Sequence, residues 1–430
     1  MRALAWLLAL TAAVLVPLLV AAVERAATWG GLLSAFGAAL GWVALGLFAV
    51  EFALVTRVRA AAAAFGSDAL LMFHRAMAFA ALGITVAHIG LLAPGLPDPL
   101  ARSPLERSGA IALWAAVVLC VTSVVRRRLR LSYELWLLLH RLLALAVLGA
   151  LTWHAVLPLR RADVASRRVV LAYLAFGVLL LTWQRLVRPW LARRKPWEVV
   201  ANRAEAGSTQ TLVLRAVGHA GMRFAPGQYV WIATARRGVF AEEHPITIAS
   251  SPELDGGRTL ELAIKDLGDW SGKVVPKLAP GARVRLDGPY GAFTSDLVPA
   301  QRLVLVAGGI GVSPMRSILL AMRDRGDRRP VTLFFAAHDR SRAMFLDELR
   351  GLQRELELRV VLVLEEPAPG EDAERGRLTL ELFRRHLPED LRFTHMFVCG
   401  PGPMMDAVDR LARRLGLPSA HVHTERFDMV

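Results

Sequence analysis

Four of the eleven histidines, His74, His88, His140 and His154, lie inside long apolar stretches, where an ionisable side chain is costly. His74 and His88 are 14 residues apart, and so are His140 and His154. An α-helix returns to nearly the same face over that spacing, about 21 Å further along its axis. The surroundings repeat as well. His74-Arg75, Leu82-Gly83 and His88 match His140-Arg141, Leu148-Gly149 and His154, so H-R-x6-L-G-x4-H occurs twice. One intervening apolar stretch makes the two histidine helices parallel, and equal positions then lie at equal depth. His74 can face His140, and His88 can face His154. Imidazole is a common axial ligand of haem iron, and two per iron close both axial positions. The chemistry expected is therefore one-electron transfer at two bis-histidine haems. A lone histidine in such a helix is usually just hydrogen-bonded to a neighbour, but four at matched depth on a repeated frame favour ligation. Gly83 and Gly149 would let a flat macrocycle approach the backbone, although glycine also serves ordinary helix contacts. Arg75 and Arg141 stand where propionates would be, or where arginines snorkel to a lipid surface.

A second constellation lies nearer the C-terminus. Residues 303–307 form an apolar strand pattern, followed by Gly308-Gly309-Ile310-Gly311-Val312-Ser313-Pro314. A glycine-rich turn between strand and helix brings backbone amides to a pyrophosphate at the helix N-terminus. Such turns are common, so its weight comes from company: Val398-Cys399-Gly400-Pro401 follows, and a further set of motifs precedes it. That set is Pro226-Gly227-Gln228-Tyr229, His244-Pro245-Ile246-Thr247-Ile248-Ala249-Ser250, Gly268-Asp269-Trp270-Ser271 and Gly288-Pro289-Tyr290-Gly291. His338, Arg340 and Arg342 follow an apolar strand pattern at 331–336. Cations there suit the 2′-phosphate of NADPH, unless they are an ordinary charged loop.

The elements that must position these residues follow from composition. The chain has 430 residues, too many for one ordinary domain. Its hydrophobic fraction of 54% is concentrated in residues 1–190, whereas 195–430 has regular charges. Six apolar stretches, at about 3–23, 30–55, 69–92, 109–125, 134–158 and 168–187, approach the length that spans a bilayer. The first is long for a signal-peptide core and reads as a spanning helix. Net charge is +15 and comes almost wholly from arginine, since the only lysines are Lys195, Lys265, Lys273 and Lys277. Many of these arginines flank apolar segments, and none alternates with aromatics as a nucleic-acid surface would. Arg57 and Arg59, then Arg126, Arg127, Arg128 and Arg130, then Arg188, Arg193, Arg194 and Lys195 fall on one side, which basic-loop bias assigns to the cytoplasm. Arg160, Arg161, Arg167 and Arg168 break the pattern outside, as tolerated surface charge or as an attractor for an anionic acceptor or a propionate. Cys120 and Cys399 are the only cysteines, too far apart in sequence for a disulfide framework.

The expected architecture has three parts. Residues 1–190 form an all-α six-helix transmembrane bundle. Residues 196–297, with short alternating strands and Gly/Pro punctuation, form a small antiparallel β-barrel. Residues 300–430, where apolar strands alternate with helices, form a parallel α/β domain.

The histidine frame resembles the ferric reductase-like transmembrane domain of NADPH oxidases and ferric reductases. The ordered motifs after it resemble the FAD- and nucleotide-binding module of the ferredoxin-reductase superfamily. Together these resemblances cover nearly the whole chain. They imply a bacterial inner-membrane (plasma-membrane) protein, with its soluble half cytoplasmic, carrying FAD and two b-type haems. The inner haem would sit on His74 and His140, the outer on His88 and His154. The flavin would be held by His244, Pro245, Ile246, Thr247 and Ile248, with Thr247 close to the reactive ring nitrogen. Ile246 stands where the family usually has an aromatic residue. Lys265, Gly268, Trp270 and Ser271 would meet the FAD pyrophosphate. Gly308, Gly309, Gly311, Val312, Ser313, Pro314, Gly400 and Pro401 would bind NADPH, and Cys399 would lie beside the nicotinamide. Phe427 would shield the flavin or serve as a core aromatic. NADPH delivers a hydride, flavin releases electrons singly, and each haem takes one. Closed axial positions favour outer-sphere reduction of dioxygen to superoxide, with a ferric chelate or a partner protein as alternative acceptors. A transporter with a regulatory nucleotide domain and a merely anchored flavoprotein are the rivals, and haem in the purified protein excludes both. The sequence carries no sign of oligomeric state.

Overall fold

A computed structural model describes residues 2–25, 32–56, 65–92, 98, 100–126, 128–157, 164–234 and 243–426. It divides into two compact units, one built mainly from Met1–Phe65 and Ala69–Val187, the other from Gly66–Asp68 and Arg188–Met429.

The first unit is helical: α1 (Arg2–Arg25), α2 (Leu32–Leu54), α3 (Ser67–Leu92), α4 (Pro104–Val125), α5 (Tyr133–Val156) and α6 (Val164–Thr182). Caps explain where two of them begin. Ser103 precedes Pro104 and accepts from the Glu106 amide, so α4 starts five residues before its apolar run. Ser132 caps α5 by accepting from the Leu135 amide. The six spans expected from the sequence are only partly met. Four helices, Leu32–Leu54, Ala69–Leu92, Pro104–Val125 and Leu135–Val156, are long and apolar enough to cross a membrane. In α1 the qualifying apolar stretch is the shorter Leu4–Val20. Arg167 and Arg168 near its start shorten the apolar run of α6. The loops that carry Arg57, Arg59, Arg160 and Arg161 lie outside the described residues, as does Arg127.

In the second unit a short helix α7 (Arg188–Arg193) precedes two sheets. The first sheet contains β1 (Pro196–Glu205), β2 (Thr209–Ala216), β3 (Tyr229–Thr234), β4 (His244–Thr247), β5 (Thr259–Lys265) and β6 (Arg283–Tyr290), in the order β4-β3-β6-β1-β2-β5. Its pairings are antiparallel. Among the described residues the expected barrel is not continuously closed, because the only bridge there joining the β4 end to β5 is Ile248–Leu262. Alternation puts Trp197, Val199, Leu212, Leu214, Val230 and Ile232 into one core.

The second sheet is parallel, with the order β10-β9-β8-β7-β11-β12. It contains β7 (Arg302–Gly308), β8 (Val331–Ala337), β9 (Leu358–Leu364), β10 (Glu374–Arg375), β11 (Thr394–Cys399) and β12 (Val422–Glu425). Helices α8 (Val312–Arg325), α9 (Leu346–Leu352), α10 (Leu380–His386) and α11 (Gly402–Arg414) lie between its strands in the chain. Strands buried on both faces need near-continuous apolar runs, as β7 shows from Leu303 to Ala307.

Candidate functional site

In the helical unit the four histidines share one arrangement. Each points its Nδ1 at an oxygen. His88 Nδ1 lies 2.7 Å from the Gly37 carbonyl, and His154 Nδ1 lies 3.0 Å from the Leu105 carbonyl. A carbonyl only accepts, so in both rings Nδ1 carries the proton and Nε2 keeps its lone pair. His140 Nδ1 lies 3.3 Å from Ser123 Oγ, whose own proton goes to the Leu119 carbonyl at 2.7 Å. His74 Nδ1 contacts the carboxylate of Glu51. All four rings therefore have Nε2 available to a metal. The structure brings His74 and His140 together, with ring centres 6.5 Å apart and planes at 67°.

Glycines make room for the other two rings. A Cβ at Gly41 would stand 2.7 Å from His88 Cε1, and one at Gly109 would stand 3.0 Å from His154 Cε1. At Gly83 and Gly149, no protein atom lies within 4 Å of a Cβ position. α4 packs along α5, whereas α3 and α5 make no extended backbone contact among the described residues. The two histidine helices are also the least covered of the spanning candidates, with 11% and 6% of their windows buried against 33% for α2 and α4.

In the second unit the nicotinamide-type and flavin-type motifs converge. Cys399 ends β11, buried, in register with Ala307 of β7 and Glu425 of β12. A Cβ on Gly311 would stand 2.1 Å from the Cys399 carbonyl oxygen, so only glycine fits there. A Cβ at Gly400 would stand 3.0 Å from the Gly308 backbone, and one at Gly308 would stand 2.6 Å from Met404 Sδ and 2.8 Å from Pro401 Cδ. Gly309 has φ +53°, and Lys265 Nζ from β5 lies 3.7 Å from its Cβ position. The lysine expected at a pyrophosphate thus reaches the glycine turn. Thr247 is paired with Tyr229, whose ring lies 5.9 Å from that of Tyr290. Glu425 reaches to 3.0 Å from the Cβ position of Gly291, in the Gly-Pro-Tyr-Gly turn.

Several expected residues take other positions. The Ile248 side chain is fully buried in the sheet core, which leaves only its backbone for a ligand. Val312, Ser313 and Pro314 are likewise buried at the start of α8. His244 is partly exposed, and its ring stacks on Trp270 at 3.9 Å and 17°. Pro245 and Ile246 follow it on β4, half-buried. Ser271 Oγ accepts from the Leu267 and Gly268 amides at 2.9 and 3.0 Å, so the Gly268 amide expected to meet a pyrophosphate is already engaged. The cation group is paired too. His338 contacts Glu365 and Glu366, Arg340 contacts Asp347 and Glu371, and Arg342 contacts Asp339. The His338 and Arg377 hydrogen bonds hold Glu365 below the usual carboxylate range. Phe427 lies outside the described residues.

Sequence reasoning missed Arg316. Its guanidinium is buried and bonds Glu348 at 2.6 Å, Glu261 at 2.7 Å and the Ala249 carbonyl at 2.9 Å. Burial works against its charge, but Glu348 and Glu261 outweigh burial and raise its pKa. Ser317 Oγ donates to the Ser250 carbonyl at 2.7 Å and accepts from the Gly227 amide at 3.2 Å. The helix that opens at the glycine turn is thereby bolted to the end of the His244–Ser250 segment. Glu51 was missed as well. Its signal was available, since it is the one acidic residue in the apolar Leu32–Leu54.

Comparison with known proteins agrees with this division. Residues 40–151 match the family described as "Ferric reductase like transmembrane component", 206–294 match "FAD-binding domain", and 305–410 match "Oxidoreductase NAD-binding domain". The chain is 34% identical to ferredoxin–NADP reductase B of Sorangium cellulosum over 194 residues, covering 42% of this chain and 77% of that one. It is 31% identical to the xylene/toluene monooxygenase electron transfer component XylA of Pseudomonas putida over 208 residues, covering 47% of this chain and 57% of that one. Among solved structures, the FAD/NAD-binding domain of nitric oxide dioxygenase from Vibrio cholerae aligns with TM-score 0.48 and 22% identity, covering 54% of this chain and 98% of that one. Helices apolar enough to span a membrane, followed by interlocked flavin and nucleotide motifs, and the family and sequence matches make the chain a transmembrane NAD(P)H oxidoreductase of the family that joins a ferric reductase-like membrane component to a ferredoxin-reductase-type FAD- and NAD-binding module.

Proposed function

We propose that the protein passes electrons from cytoplasmic NADPH, through FAD and two b-type haems, to dioxygen across a bacterial inner membrane. The carrying observation is the disposition of His74 and His140. With metal–imidazole bonds of about 2.0 Å and ring nitrogens about 1.1 Å from the ring centre, two imidazoles on opposite sides of one metal stand about 6.2 Å apart. The observed 6.5 Å fits that requirement. The anchored Nδ1 atoms fix ring orientation, as ligating histidines require. His88 and His154, equally anchored, would hold the second haem.

When bound, FAD converts hydride delivery into single electrons, and the haems carry these singly. The chain's own residues bind and orient. Lys265, assigned to the FAD pyrophosphate, places a positive charge beside the Gly309 turn assigned to NADPH. Cys399 and Gly311 fix the floor on which the nicotinamide would lie, and Thr247 presents its hydroxyl from β4. Buried Arg316 keeps the two motif sets in register. Cys399, Thr247 and Phe427 are the residues assigned to the hydride step. Six spanning helices, domain limits at 1–190, 196–297 and 300–430, and a cytoplasmic soluble half complete the reading. His338, Arg340 and Arg342 are assigned to NADPH recognition, with a modest margin because each would exchange a carboxylate partner for the 2′-phosphate. Protein purified with adequate iron is expected to hold about two haems per chain and to generate superoxide from NADPH and oxygen. Faster reduction of ferric chelates than of oxygen would reassign the acceptor, and folded protein without haem would end the reading.

A further inference from the structure

We infer that Glu51 gives electron flow its outward direction, by making the haem on His74 and His140 the more reducing of the two. This rests on the bis-histidine reading above and concerns a residue which that reading does not use.

The four imidazoles have unequal partners. His88 and His154 donate to neutral carbonyls, of Gly37 and Leu105, and His140 donates to the Ser123 hydroxyl. His74 alone meets a carboxylate. Glu51 is 8% exposed on α2, and neither of its oxygens has any other hydrogen-bond partner among the described residues. A carboxylate in an apolar helix is costly, so its interaction is concentrated on this one imidazole. An imidazole that donates to a carboxylate is more basic at its other nitrogen than one that donates to a carbonyl. A more electron-donating ligand, with a negative charge in contact behind it, favours ferric over ferrous iron and lowers the reduction potential. Opposing charges near this pair include Arg141, which follows His140 and acts on its ring, and Arg126. Arg126 stands 5.1 Å from the Trp136 ring, whose centre is 5.2 Å from that of His140, so an indole separates it from the imidazole. Glu51 touches His74 directly, and its effect dominates.

The electron step is simple to balance. Ferrous iron on the His74 pair loses one electron, ferric iron on the His88 pair gains it, and no bond or proton changes. A difference in potential then biases the equilibrium of this step outward. The carboxylate partner belongs to the histidine pair that the proposed function assigns to the flavin side, which makes the second step downhill.

The test is a spectroelectrochemical titration of the full-length holoprotein. The parent should show two midpoints. In Glu51→Gln the lower midpoint should rise and the upper should stay, cutting the inner-to-outer equilibrium constant about tenfold, equivalent to about 59 mV for one electron. The low-spin ferric EPR signal of one haem only should change. In His74→Leu the surviving haem should titrate at the upper parental midpoint, a result that does not depend on Glu51→Gln folding. Unchanged midpoints in a two-haem Glu51→Gln protein would overturn the role of Glu51, and so would a surviving His74→Leu haem at the lower midpoint. A parent protein without haem would instead overturn the reading on which the inference rests.

Discussion

An imidazole held through one ring nitrogen keeps the other for a further partner, and the four histidines of the helical unit are each held by a different oxygen. Equally local constraints govern the nucleotide turn. Gly311 is glycine because its Cβ would collide with the Cys399 carbonyl at 2.1 Å. Gly311→Ala should cost about 1–3 kcal/mol through forced backbone movement. It should raise the NADPH KM severalfold while leaving the haem spectrum intact, and steady-state kinetics with absorption spectra check both. Arg340 and Arg342 predict a smaller effect. Replacing both with alanine should raise the KM for NADPH more than that for NADH. The difference should be about 1 kcal/mol or less, roughly fivefold, because exposed ion pairs with Asp347 and Asp339 are lost in the same change. Equal kinetics of the parent with both coenzymes would remove the assignment.

Elements place these residues where single positions cannot. The repeated H-R-x6-L-G-x4-H frame was legible because both histidines of each pair lie on one helix, where sequence spacing is geometry. The partner oxygens were not, because Gly37, Leu105 and Ser123 reach their histidines from other helices. The glycine turn and the Cys-Gly-Pro segment were legible as motifs, yet their mutual contact needed the parallel pairing of β7 with β11. Ser271 shows the limit of motif reading, since its hydroxyl consumes amides that spacing alone leaves open. The same β11–β12 pairing stacks His395 on His421 at 4.2 Å and sets its Nδ1 2.9 Å from His423 Nε2. Burial, then the neighbours His395 and His421, push His423 down to about 4. Burial and His421 likewise lower His395. An unfolded histidine takes up its proton near pH 6.5, whereas folded His423 resists until about 4. Above that window no proton is taken up in either state. As pH falls through it, the unfolded state gains protons first and stability is lost, by at most about 1.4 kcal/mol per pH unit for each group. Thermal unfolding of the purified protein at a series of pH values should show that decline, and His423→Gln should flatten it. A parent as stable at pH 4.5 as at pH 7 would contradict this.

At the scale of the molecule, one chain joins a hydride-accepting module to a set of membrane imidazoles, and the order of those imidazoles is the central claim. On the proposed function, helices α3 and α5 start on the cytoplasmic side, which would put His74 and His140 first and His88 and His154 second. Anaerobic stopped-flow mixing with NADPH, followed at flavin and haem wavelengths, tests this order directly. In the parent, flavin and then both haems should be reduced. In His88→Leu or His154→Leu, flavin reduction should persist and the haem on His74 and His140 should still be reduced. In His74→Leu or His140→Leu, flavin should be reduced while the remaining haem stays oxidised. Rapid NADPH reduction of the His88–His154 haem without its inner neighbour would contradict the account.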